Sequence, residues 1–150
     1  MKIIIYFFLA SVLLLTNHNY AHAQNDVADK QAILMLKDFY TAYNTVWSTT
    51  KGFILVKKLD SLQRKYCTKK LRLEVKEDGI DQDPLVGIDY TDVEHLKTLV
   101  ITKDPTKENT YIVSYIAHTL SAANKPIDEK VVIHVSVIKE GASFRIASVK

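Results

Sequence analysis

Apolar residues recur at helical spacing along the first half of the chain and at strand spacing along the second. From about Val27 to Ser48, the residues Ala32, Leu36, Phe39, Tyr43, Val46 and Trp47 fall on one stripe, the pattern of an amphipathic helix. Lys30, Lys37, Asp38 and Asn44 occupy its other faces, and Asn25 or Asp26 is placed to cap it. Gly52 interrupts the pattern. A second helix follows from about Phe53 to Tyr66 on the stripe Leu55, Leu59, Leu62 and Tyr66, with basic residues between. Thr68 then stands as the N-cap of a short third helix, Lys69–Glu77, which buries Leu71 and Val75, and Gly79 is placed to end it.

The segment Asp78–Tyr90 carries aspartates among glycine and proline and reads as a loop, with a short extended piece near Leu85–Ile88. Four strands are predicted beyond it: Leu96–Thr102, Thr110–Leu120, Lys130–Lys139 and Ser143–Val149. Each is rich in β-branched and aromatic residues, and the short connectors favour an antiparallel meander. Tyr111, Val113, Tyr115 and Ala117 share one face of the second strand, and Val131, Ile133, Val135 and Val137 share one face of the third. Helices first and a meander second predict an α+β fold with the helices packed on one face of the sheet.

The first 23 residues read as an address. Lys2 supplies a positive charge, Ile3–Leu15 is an apolar run, and Ala21-His22-Ala23 is the small-x-small pattern of a signal peptidase site. The apolar core is about 13 residues, short of the roughly 20 that cross a bilayer. Cleavage before Gln24 is expected, leaving one α+β domain over residues 24–150, exported to the periplasm or beyond the cell. The residue after the site is glutamine and not cysteine, so no lipid anchor and no stable membrane anchor is expected once the segment is removed. Removal takes away Lys2 and no acid, which lowers the net charge from +3 to +2. A dedicated nucleic-acid binder would carry a basic stripe, so none is expected as a partner. The local basic clusters, Lys57-Lys58, Arg64-Lys65 and Lys69-Lys70-Leu71-Arg72, read as solvated helix faces. Cys67 is the only cysteine, which excludes an internal disulfide, and it reads as a small buried apolar group.

Two strings carry a resemblance. Tyr66-Cys67-Thr68-Lys69-Lys70-Leu71 joins the second and third helices, and Asp81-Gln82-Asp83-Pro84-Leu85 lies in the acidic loop. With Tyr40 and Tyr43 on the first helix, the chain from about Ile33 to Val149 resembles a secreted bacterial family called domain of unknown function 3828. That family is assigned to the nuclear-transport-factor-2-like group, a curved cone of helices on an antiparallel sheet. The resemblance implies that architecture, a secreted setting and a pocket between sheet and helices; it implies no activity. Where the family carries an aromatic residue after the proline, this chain has Leu85, and no pocket role is carried to that position.

No catalytic motif accompanies the fold. Asp78, Asp81, Asp83 and Asp89 do not follow the EF-hand spacing, and Pro84 makes Asp83 a turn residue. His118 and His134 fall on the mixed faces of neighbouring strands and would meet only if the register allowed it. There is no Gly-x-Ser-x-Gly elbow and no glycine-rich phosphate loop. Tyr40, Tyr43, Trp47, Tyr66, Tyr90, Tyr111 and Tyr115 suit a helix–sheet core, and those that line a cavity suit binding. The candidate ligand contacts are therefore Tyr40, Tyr66, Asp81, Asp83, Asp89 and His134, with no metal, no cofactor and no identified catalytic residue. The expected role is a non-enzymatic exported protein that binds a small molecule, a peptide or a partner protein through the cavity or rim. The alternatives are a hydrolase or isomerase with an Asp/His/Tyr site and a neutraliser of a secreted toxin. Pairing through the open sheet face, as a homodimer, follows from analogy with the fold class.

Overall fold

With neither glycine nor proline before Gly52, nothing in the sequence stops the first helix once it has begun. In a computed structural model, α1 accordingly runs Lys2–Thr49 and passes through Asn25 and Asp26, which do not cap it. The structure describes the backbone of residues 2–77, 83–88, 91–120 and 124–150 and, apart from Glu77, their side chains from Asp26 onward. Asp78, Gly79, Asp81, Asp89 and Tyr90 lie outside the described residues. The chain divides into two units, Met1–Gln31, which is helical over its described part, and Ala32–Lys150, which holds every other element. No helix among the described residues is long and apolar enough to cross a membrane.

Gly52 takes φ +60°, a left-handed conformation that L side chains rarely adopt, and α2 follows as Gly52–Tyr66. The third helix, α3 (Lys69–Glu77), has the predicted bounds. Its cap is the predicted one too, since the Leu71 N–H donates to Thr68 Oγ1 at 3.2 Å. The α2–α3 link is tied to the sheet: the Thr68 N–H donates to the Ile146 carbonyl at 2.9 Å, beside a parallel bridge between Cys67 and Ile146.

The sheet is a four-stranded antiparallel meander in the order β1 (Val100–Lys103), β2 (Thr110–Leu120), β3 (Pro126–Glu140), β4 (Ser143–Val149). Two strand predictions change. Leu96–Thr98 belongs to a 3-10 helix, Val93–Thr98, and only Val100–Lys103 pairs with β2. Asp92 winds that helix, its side chain accepting from the Glu94 N–H at 3.1 Å while its own N–H donates to His95 Nδ1 at 3.2 Å. At the other end, β3 begins at Pro126 because β2 continues to Leu120, which is its register partner. Proline is tolerated there as the first residue of a strand.

Side-chain alternation then decides what is buried. Tyr111, Val113, Tyr115 and Ala117 of β2 and Val131, Ile133, Val135 and Val137 of β3 are all buried, as the pattern predicted. They meet Ala32, Leu36, Phe39, Tyr40 and Tyr43 of α1 and Tyr66 and Leu71 of the shorter helices in one apolar cluster. The fold is α+β, with helices packed on one face of the sheet.

Candidate functional site

The described part of the acidic loop is a tight turn, where the sequence suggested a short extended piece. Asp83 and Ile88 form an isolated antiparallel bridge, and the N–H groups of Val86 and Gly87 donate to the Asp83 carbonyl at 3.1 and 2.8 Å. Gly87, at φ +67°, lies against the sheet; a Cβ there would stand 3.3 Å from Val131 Cγ1. Leu85 and Val86 are buried in the core, and the Tyr115 hydroxyl donates to the Val86 carbonyl. The turn is thus held from the sheet side and presents Asp83 on its helical side.

Asp83 is the polar centre of the site. Its Oδ1 accepts from the Leu85 N–H at 3.0 Å, an Asx-type turn, and its Oδ2 accepts from the Tyr43 hydroxyl at 2.7 Å. Gln63 Nε2 donates in turn to the Tyr43 hydroxyl oxygen at 3.1 Å. Three segments distant in sequence (α1, α2 and the turn) therefore converge on one hydrogen-bonded row. Burial raises the Asp83 carboxyl above its usual range, against the lowering effect of the Tyr43, Leu85 and Trp47 donors. The Trp47 indole N–H lowers it by proximity, since that group is buried without a hydrogen bond of good geometry among the described residues. Tyr43 is raised by its own burial and then by the Asp83 charge, so it stays protonated and donates.

This row floors a pocket of about 570 Å³, within the size range of small-molecule sites. Trp47, Leu55, Val56, Leu59 and Val75 form its apolar walls. At the mouth, Asp60 accepts from Arg64 Nε at 2.7 Å and from Lys76 Nζ at 3.2 Å, joining α2 to α3. Those two donors hold the Asp60 carboxyl below its usual range. All the described lining residues lie on helices or on the Asp83 turn, which puts them on the helical side and not between sheet and helices. A carboxyl with two partners keeps acceptor capacity free for a donor on a bound molecule. Among the described residues, no histidine, serine or cysteine lines the pocket.

Of the candidate ligand contacts that are described, Asp83 lines this pocket and Tyr40, Tyr66 and His134 do not, while Tyr43 and Trp47 line it from the wider aromatic group. Tyr40 is fully buried behind it, its hydroxyl without a partner among the described residues and raised well above its usual pKa by burial. Tyr66 packs in the core against Phe39, with ring centroids 5.6 Å apart. His134 belongs to the opposite face of the sheet, its Nδ1 3.3 Å from Asp104 Oδ2. It is not near His118 either. His134 pairs with Ile112 and His118 with Asp128, which separates the two histidines by six residues of β2, roughly 20 Å. No cluster of three or more metal-ligating side chains occurs among the described residues. His95 is buried and stacked on Tyr115, with ring centroids 5.2 Å apart, and burial lowers its pKa. Cys67 is buried, and burial pushes its thiol up to about 12. Asp81 and Asp89 lie outside the described residues. Sequence reading missed Gln63 altogether, and it held Tyr43 and Trp47 within an aromatic group whose cavity-lining members would be binding candidates, without telling which those were.

No family model matches the chain, and no curated protein matches it. A crystal structure of a protein of unknown function from Bacteroides thetaiotaomicron is similar, with a TM-score of 0.76 at 25% identity. The match covers 88% of this chain and 98% of that one.

Proposed function

We propose that this is an exported binding protein of the nuclear-transport-factor-2-like kind, similar to the domain of unknown function 3828 family. Its ligand is a small molecule with an apolar body and a hydrogen-bond-donating head. The observation that carries this reading is the half-buried Asp83 carboxylate at the floor of an apolar pocket, preset by Tyr43, Gln63 and Leu85. An apolar body fills the space between Trp47, Leu55, Leu59 and Val75, and the donor takes up the acceptor capacity that Asp83 has left. Export is supported by Lys2, the Ile3–Leu15 run and the Ala21-His22-Ala23 site, and cleavage before Gln24 leaves the whole Ala32–Lys150 unit intact.

Trp47 is the only tryptophan and lines the pocket, so its emission reports occupancy. Octylamine and octanol are suitable probes, alike in body and different in head. Both should change Trp47 emission saturably. Asp83→Asn should weaken octylamine by roughly tenfold or more, the worth of a charge-assisted hydrogen bond, and octanol by less. His134→Ala should weaken neither. An absence of saturable change, or equal affinities in the Asp83→Asn variant, refutes the reading. Native mass spectrometry of the protein from its host then identifies the retained ligand and the N-terminus, expected at Gln24.

A further inference from the structure

The first turn of α2 is the most exposed apolar feature among the described residues: Phe53, Ile54 and Val56 are 71%, 60% and 62% exposed. We propose that this turn docks reversibly on an anionic lipid surface. Successive helical residues are set about 100° apart, so Phe53, Ile54, Leu55 and Val56 point around the whole circumference of the turn. A helix that lies in a protein groove shows a lengthwise stripe at i, i+3, i+4 and i+7. The lengthwise stripe of α2, Leu59, Leu62 and Tyr66, is turned to the core, whereas its exposed apolar residues are confined to one end, and Lys57 and Lys58 begin the next turn. That shape suits end-on entry into the boundary between headgroups and acyl chains.

Charge selects the partner. Lys51, Lys57 and Lys58 are exposed and flank the apolar turn, and no acidic residue lies between Thr49 and Leu59. The next acid, Asp60, is already occupied by Arg64 and Lys76. Lys57 Nζ stands 4.5 Å from the Phe53 ring centroid, so the positive charge is held beside the apolar tip. Lys58 Nζ reaches Thr50 Oγ1 at 3.4 Å and turns back toward the same end. No ion pair holds any of the three lysines among the described residues. A second copy of this chain meeting the patch across a two-fold axis would bring lysines against lysines, which opposes self-association there. Phosphate headgroups above an apolar layer match both halves of the patch, the ammoniums resting at headgroup level while the tip enters. Such contact is peripheral and differs from a lipid or transmembrane anchor.

Flotation with vesicles tests the proposal, using the soluble protein recovered after expression of the full chain, its N-terminus read by mass spectrometry. It should float with vesicles of phosphatidylcholine and phosphatidylglycerol, stay behind with phosphatidylcholine alone, and be released by salt. Phe53→Ser/Ile54→Ser should reduce partition by roughly tenfold or more. Lys51→Gln/Lys58→Gln should reduce it by roughly 25-fold, about fivefold per lysine. Both variants change exposed side chains outside the pocket lining, so circular dichroism melts and the octylamine titration should match the parent. Absence of flotation, equal flotation with both lipid mixtures, or full binding by both variants overturns the proposal. A concentration-dependent dimer that the variants dissolve also overturns it, in favour of a second copy.

Discussion

Replacing Asp83 by asparagine tests whether burial or its donors dominate at the floor of the pocket. The wild-type carboxyl is raised above its ordinary value of 3.8 because burial outweighs the donors from Tyr43, Leu85 and Trp47. Between that value and the raised one, the folded protein holds a proton that the unfolded chain has lost. Stability therefore falls as pH rises through this window, and each unit of elevation costs about 1.4 kcal/mol by neutral pH. Asparagine is not titratable, so Asp83→Asn removes the slope. It also carries a constant penalty of about 1 kcal/mol, because its amide cannot accept from both the Leu85 N–H and the Tyr43 hydroxyl. The assay is urea denaturation of both proteins from about pH 4 to about pH 8, read as the stability of the variant minus that of the parent. That difference should rise with pH and level off above the raised pKa. A flat difference means that Asp83 titrates as in the unfolded chain. A falling one means that the anion is stabilised by the fold, and either result refutes the account.

Other outcomes follow from the same geometry. Gly87→Ala forces a side chain into a left-handed conformation and against Val131 and Ile133, and should cost roughly 2–4 kcal/mol in urea denaturation. Octylamine affinity should fall with it, because the turn carries Asp83. Thr68→Ala removes the oxygen that accepts the Leu71 N–H and should cost about 1 kcal/mol, while Thr68→Ser should restore most of it. Cys67, buried and raised to about 12, should resist a thiol-specific disulfide reagent in the folded protein and react fully in urea.

Much of the fold was legible because it depends on short-range periodicity. The α1 stripe through Leu36, Phe39 and Tyr43 and the inward faces of β2 and β3 follow from spacing alone, and so does the Thr68 cap. The errors lie where neighbours in space override the local pattern. Leu96–Thr98 has strand-like residues but is wound by Asp92 and His95, a cap that lacks the usual glutamate or glutamine. Pro126–Glu129 reads as a connector but is drawn into β3 by the length of β2. The site was less legible still. Asp83 was visible as a turn residue, yet its contact with Tyr43 spans 40 positions, and Gln63 joins Tyr43 across 20. Nothing local distinguishes Tyr43, which meets Asp83, from Tyr40, which faces the core. The separation of His118 from His134 likewise depends on register, which one strand's sequence does not state.

The contact between Thr68 and Ile146 has a bearing on how the molecule is made. With the Arg145 guanidinium donating to the Arg64 carbonyl across 81 positions, it joins the helices to a strand that leaves the ribosome long after them. Loop closure over such a distance costs entropy before it returns anything, so the seam between α2, α3 and β4 should close late in folding. Until Ser143–Val149 is in place, neither of these ties between the helical link and the fourth strand can form, so the hold on α2 and α3 depends on the last strand made.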